Sequence, residues 1–122
     1  MPILDLELVG HADATLPPLL AQCVADGVAQ ALACVPGRVW VRVRGLPAHC
    51  YAENHSTLAA DELPVFATLL HAHPPTGDAL QTELSALTQA IAHACGRNPE
   101  RVHVQYAPAA AGRQAFGGRL VQ

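Results

Sequence analysis

The sequence predicts an α+β fold in which two tandem β-α-β units form a four-stranded sheet with two helices on one face. Two observations carry this. "RVWVRV" (Arg38 to Val43) aligns without a gap on "RVHVQY" (Arg101 to Tyr106), and Pro36 matches Pro99 at the same 63-residue offset. Each of these alternating segments follows an apolar stretch of helical period, which in turn follows a strand-like one. The two units span 2–45 and 64–107, with a linker at 46–63 and a tail at 108–122. A chain of 122 residues suits a single domain.

The elements follow in order. Pro2 to Val9 alternates, with Leu4, Leu6 and Leu8 on one face, and reads as a strand. A helix is expected from about Thr15 to Cys34, with Thr15 as N-cap and Pro17 and Pro18 in the first turn, where amide hydrogens lack partners. Its apolar stripe is Leu20, Val24, Val28, Ala31 and Leu32. The second strand is Arg38 to Arg44, with Val39, Val41 and Val43 facing one way. The third starts near Pro64 and runs to about His73, where "HPPTGD" breaks the chain. Thr76 is placed to cap the second helix, whose stripe is Leu80, Leu84, Leu87, Ile91 and Ala94, and Gly96 to end it in the left-handed conformation. Val102 to Tyr106 is the fourth strand. Helices on one face leave the other uncovered. With Val39, Val41, Val102 and Val104 assigned to it, that face is too apolar to stay wet, which predicts an oligomer.

The chain is 51% hydrophobic and 14% charged, so it can bury a sizeable core. A formal net charge of −3 without any basic block argues against nucleic acid and anionic membranes as partners. No apolar run approaches the roughly 20 residues that span a bilayer, and no export leader is read at the N-terminus. Cys23, Cys34, Cys50 and Cys95 form no CxxC pair, so reduced thiols and a cytoplasmic setting are expected. Cys50 should be the most exposed thiol, but no base accompanies it.

"LTQAIAHACGRNPERVHVQY" followed by "GRQAFGGRL", together with the N-terminal "MP", resembles the tautomerase superfamily, whose members include 4-oxalocrotonate tautomerase and macrophage migration inhibitory factor. Leu87 to Leu120 can be laid on the former without a gap, with Gly117 and Gly118 on its glycine pair. The first half matches more loosely, and the repeat resembles the long, duplicated members, which are typically trimers. The resemblance implies a homotrimer that buries the open sheet face. It also implies that Met1 is removed and that the Pro2 amine is the catalytic base. A terminal amine titrates near 8, and desolvation or nearby cations lower that. Such a base can move a proton on a conjugated carbonyl without a metal or organic cofactor. The implied substrate is a small enol or α-keto acid.

The other site residues carry over with departures. His103 falls where 4-oxalocrotonate tautomerase has a carboxylate-binding arginine and migration inhibitory factor a tyrosine; Gln105 falls on an asparagine of the latter. Both share one strand face and can hydrogen-bond a carbonyl, but neither carries a permanent charge. Phe116 falls on an apolar pocket wall, and Gln114 replaces a phenylalanine. His71 and His73 lie where dehalogenases of the superfamily carry arginines. On a strand, HxH also puts two imidazoles on one face, but no third ligand at a fixed spacing accompanies them, and no metal is assigned. Arg42, the first-half counterpart of Gln105, and Arg113 in the tail are further candidates for a substrate carboxylate, beside Arg44 and Arg119. Tyr51 and Glu53 read equally as an acid or as a capped turn. The alternatives are a dehalogenase- or decarboxylase-like enzyme with a protonated proline, which needs a carboxylate or arginine partner that the sequence does not place, and a non-catalytic trimeric binding or structural protein.

Overall fold

The computed structural model describes residues 1–122. Four strands, β1 (Pro2–Val9), β2 (Trp40–Leu46), β3 (Val65–His71) and β4 (Val102–Tyr106), pair in the order β2-β1-β3-β4. Helix α1 (Leu20–Ala31) joins the parallel pair β1 and β2, and α2 (Gly77–Cys95) joins the parallel pair β3 and β4. The halves meet where β1 runs antiparallel to β3. Ile3 faces Trp40 and Val65 faces Val102, a displacement of 37 residues in both halves. A small hairpin, β5 (Ala115–Phe116) and β6 (Arg119–Leu120), closes the chain.

One sheet face and both helices share a core. Leu4, Leu6, Val65 and Leu69 from the strands meet Val24, Val28, Leu87 and Ile91 from the helices, all fully buried. Burying each such side chain contributes about 1.5–3 kcal/mol. Gly96 ends α2 at φ 63, the left-handed conformation expected of it.

Several elements depart from the sequence expectation. Helix α1 starts at Leu20, not Thr15. Pro18 keeps Pro17 out of the helical region, and neither proline has an amide hydrogen to donate. Thr15 instead ends a short 3-10 turn, its hydroxyl donating to the Ala12 carbonyl. The helix stops at Ala31, because Ala33 adopts φ 52 and the Cys34 amide reaches back to the Ala29 carbonyl. Ala31 itself is exposed. Strand β2 begins two residues late, after a turn at Gly37 (φ 77). Thr76 occupies the N-cap position of α2, but its side chain makes no capping bond.

The larger correction concerns the open sheet face. Val41 pairs with Leu4 and Val104 with Ala67, and paired residues point to the same side. Val39, Val41 and Val104 therefore pack against the core under the helices, and Val102 belongs to it. The open face carries mixed rows instead, among them Arg42–Asp5–Thr68–Gln105 and Arg44–Glu7–Phe66–His103.

Candidate functional site

Pro2 begins β1 on the helix-side face, fully buried and opposite His71 of β3. Ahead of it, Met1 lines a cleft of about 490 Å³ with Cys34, Val35, Arg38, Trp40, Phe116 and Val121. The Phe116 ring stacks on Trp40, centroids 4.4 Å apart and 22° from parallel. This stacking holds the tail hairpin against the start of β2. Arg38 is exposed and makes no ion pair or side-chain hydrogen bond. The cleft thus combines aromatic walls, an uncommitted guanidinium and the chain's N-terminus.

Behind Pro2 lies a polar cluster. The Nδ1 atom of His71 accepts the His73 backbone N–H at 3.1 Å, which leaves Nε2 as the protonated nitrogen. That Nε2 faces Glu83 Oε1 of α2 at 3.8 Å. The other oxygen of Glu83 accepts the Tyr106 hydroxyl in a short hydrogen bond. Burial pushes the His71 pKa below the ordinary histidine value, and the nearby N-terminal charge adds to this while Glu83 opposes it. Burial, and then the bond to Glu83, raise the Tyr106 pKa well above the ordinary tyrosine value. At neutral pH both are therefore uncharged donors.

The remaining candidates lie elsewhere. His103 and Gln105 point from the open sheet face, opposite to Pro2. His103 stands at the level of Glu7, five residues from Pro2 along β1, which is about 17 Å at strand spacing. Its ring neighbours Phe66, with centroids 5.4 Å apart, and Phe66 neighbours Tyr51 at 5.8 Å. Arg42 is held by Asp5 in a two-pronged pair at 2.5 and 2.8 Å and is not free for a carboxylate. Arg113 is exposed in the tail, and the Gln114 amide donates to the Ala115 carbonyl at 2.9 Å. Of the expected set, His71 lies opposite Pro2 and Phe116 lines the cleft with Met1.

Two further readings are settled by contacts. His73 lies beyond β3 and donates from Nε2 to the Gln122 carbonyl at 2.9 Å, so the two histidines do not form a strand-face pair. Glu53 accepts from the Tyr51 hydroxyl at 2.7 Å and from Arg101 at 2.6 Å. These bonds, Tyr51 foremost, hold its pKa below the usual carboxylate value. It clamps the linker to the start of β4.

Sequence reasoning missed Arg38, Trp40, Glu83 and Tyr106. A signal existed for two of them. Arg38 is the repeat partner of Arg101, which is fully engaged, whereas Arg38 is not. Glu83 precedes Leu87 by four residues and so puts a carboxylate on the buried stripe of its helix.

No family model matches the chain, and no curated protein matches it. Solved structures do. A fused 4-OT wild-type symmetric trimer is 15% identical and matches with a TM-score of 0.72, over 98% of this chain and 94% of that one. The macrophage migration inhibitory factor from Trichinella spiralis is 14% identical, with a TM-score of 0.71 over 97% and 98%. Malonate semialdehyde decarboxylase is 19% identical, with a TM-score of 0.64 over 96% and 92%. These matched structures belong to one superfamily, and identities this low establish the likeness at the level of fold. The strand order, the two crossover helices and these matches agree: the chain has the tautomerase-superfamily fold.

Proposed function

We propose that this chain is a tautomerase, working as a homotrimer, in which the Pro2 amine takes and returns a proton on a small enol or α-keto acid. Met1 must first be removed; while it is present, Pro2 nitrogen is an amide and has no basic lone pair. The observation that carries the reading is the cleft at the N-terminus, where Arg38 stands unpaired beside the stacked Trp40 and Phe116 rings. A guanidinium can hold a carboxylate by two parallel hydrogen bonds, and the rings suit an apolar or conjugated body. The amine would then meet the carbon next to the carbonyl. The burial of Pro2 favours the uncharged amine that a base requires. The reaction needs no cofactor.

A second reading has one observation in its favour. A decarboxylase- or hydratase-like reaction with a protonated proline needs an anionic partner, and Glu83 lies behind Pro2 through His71.

Intact mass of untagged protein from the native host, with phenylenolpyruvate turnover by wild type and Pro2→Ala, tests the proposal. The expected mass lacks one methionine. Pro2→Ala is expected to lower kcat/KM by about 100-fold or more, and Arg38→Gln to raise KM by about 10-fold. Retained Met1, or equal turnover by Pro2→Ala, refutes it.

A further inference from the structure

We propose that Glu83 is a positioning residue for the N-terminal amine: joined to His71 and Tyr106 behind Pro2, it supplies the anionic side of the amine's surroundings. This rests on the reading that Pro2 becomes the free N-terminus. Glu83 is a sheltered carboxylate without a Lys or Arg partner. The Glu83 side chain is 15% exposed, and its ion-pair neighbour is His71, itself 24% exposed. Its hydrogen-bond donor is the Tyr106 hydroxyl.

Carboxylates this sheltered normally have a positive partner. His71 does not supply one, because burial disfavours its protonated form. The topology brings another cation to the place. Pro2 lies directly across the β1–β3 pairing from His71, and the N-terminal charge is already felt at the His71 ring. Loss of Met1 moves the amine one residue further into the sheet, towards the cluster.

The groups around that amine come from every neighbouring element. His71 and His73 lie on β3 and its exit, Glu83 on α2 and Tyr106 on β4. Cys34 and Arg38 lie on the segment leading into β2, and Gln122 reaches His73 from the C-terminus. Arg38 and Glu83 thus act in opposite senses. The guanidinium favours the neutral amine and the carboxylate favours the ammonium form. Tyr106 and His71 fix where that carboxylate sits.

The test is a titration of the Pro2 nitrogen by ¹⁵N NMR in proline-labelled protein without Met1. Glu83→Gln keeps the shape and removes the charge. Its midpoint is expected to fall by about one pH unit relative to wild type. Tyr106→Phe, which keeps the charge, should move it less. Glu83→Asp retracts the charge by one methylene and should give a small fall; it replaces Glu83→Gln if that variant does not fold. An unchanged midpoint in the folded Glu83 variants overturns the inference. The readout is independent of turnover. A moved midpoint in a protein without tautomerase activity sustains this inference and refutes the proposed function. An active enzyme with an unmoved midpoint does the reverse.

Discussion

Replacing Arg97 by methionine is expected to destabilise the fold by about 3 kcal/mol, through loss of its two short charge-assisted hydrogen bonds. Arg97 follows the left-handed Gly96 that ends α2. Its Nη1 donates to the Leu63 carbonyl at 2.6 Å and its Nη2 to the Val9 carbonyl at 2.7 Å. One side chain thus ties the end of β1, the entry to β3 and the end of α2. Charge-assisted bonds contribute about 1.5–3 kcal/mol each. Part of that is offset, since burial holds the Arg97 pKa below its ordinary value, a sign that desolvation already opposes the charge. Methionine fills similar volume but leaves two carbonyls without their donor. With a urea dependence of about 1.5 kcal/mol per molar, the unfolding midpoint should fall by about 2 M. Arg97→Lys should recover roughly half, because an ammonium is a point donor and cannot span both carbonyls as a planar fork does. Protein concentration is held fixed, since assembly would couple to unfolding. A methionine variant within about 0.5 kcal/mol of wild type, or a lysine variant equal to it, would refute this account of the clamp.

Two further outcomes follow from contacts elsewhere. A Cβ on Gly45 would lie 2.4 Å from the His11 carbonyl oxygen and 2.8 Å from the Ala12 carbonyl carbon, both backbone atoms. Gly45→Ala must therefore displace the loop that brings Asp13 to the Gly45 amide at 2.7 Å, and should cost about 3 kcal/mol in thermal or urea unfolding; a neutral variant would mean that the loop yields freely. His71 binds its proton less readily in the fold than in the unfolded chain, chiefly through burial. Its contribution is then complete above the ordinary histidine pKa and is lost as pH falls through and below that value. His71→Asn should flatten the decline in Tm between about pH 7 and pH 5, and an equal decline in both proteins would contradict it.

How much of this could be read from residues alone varies with the range of the interaction. Strands β1 and β4 begin and end where alternation places them, because Leu4, Leu6 and Leu8, or Val102 and Val104, mark a face by themselves. Helix α1 starts later than its pattern suggests because Pro17 and Pro18 fit a first turn singly, whereas as a pair they exclude the first from helical backbone. The assignment of Val39, Val41 and Val104 to the open face failed for a different reason. Alternation says which residues share a face but not which face meets the helices; that depends on pairing with Leu4 and Ala67, far away in sequence. The site was legible only in part. Pro2 and Phe116 come from their positions in the resemblance, and the structure places Phe116 in the cleft beside Met1. Arg42 has the right charge, but Asp5, 37 residues earlier, occupies it. Glu83 joins Tyr106 and His71 only through packing of α2 on the sheet, which no local pattern records.

The placement of His103 and Gln105 bears on assembly. Both project from the face opposite Pro2, and His103 also stands about 17 Å along the strand from it. No side chain crosses a sheet, so one chain cannot bring these residues to its own Pro2. If they serve the chemistry proposed above, they serve the Pro2 of a neighbouring copy. The open face is suited to such a neighbour, though not for the reason its valines suggested. Its rows alternate charge and ring, with Asp5 and Arg42 already paired and Phe66 between Tyr51 and His103. Such a surface can stand in water and still offer an aromatic strip for burial. Subunits meeting there would rely on specific polar matching rather than on bulk apolar area. The N-terminal cleft and the His103 strip would then be two halves of one site, completed only by assembly.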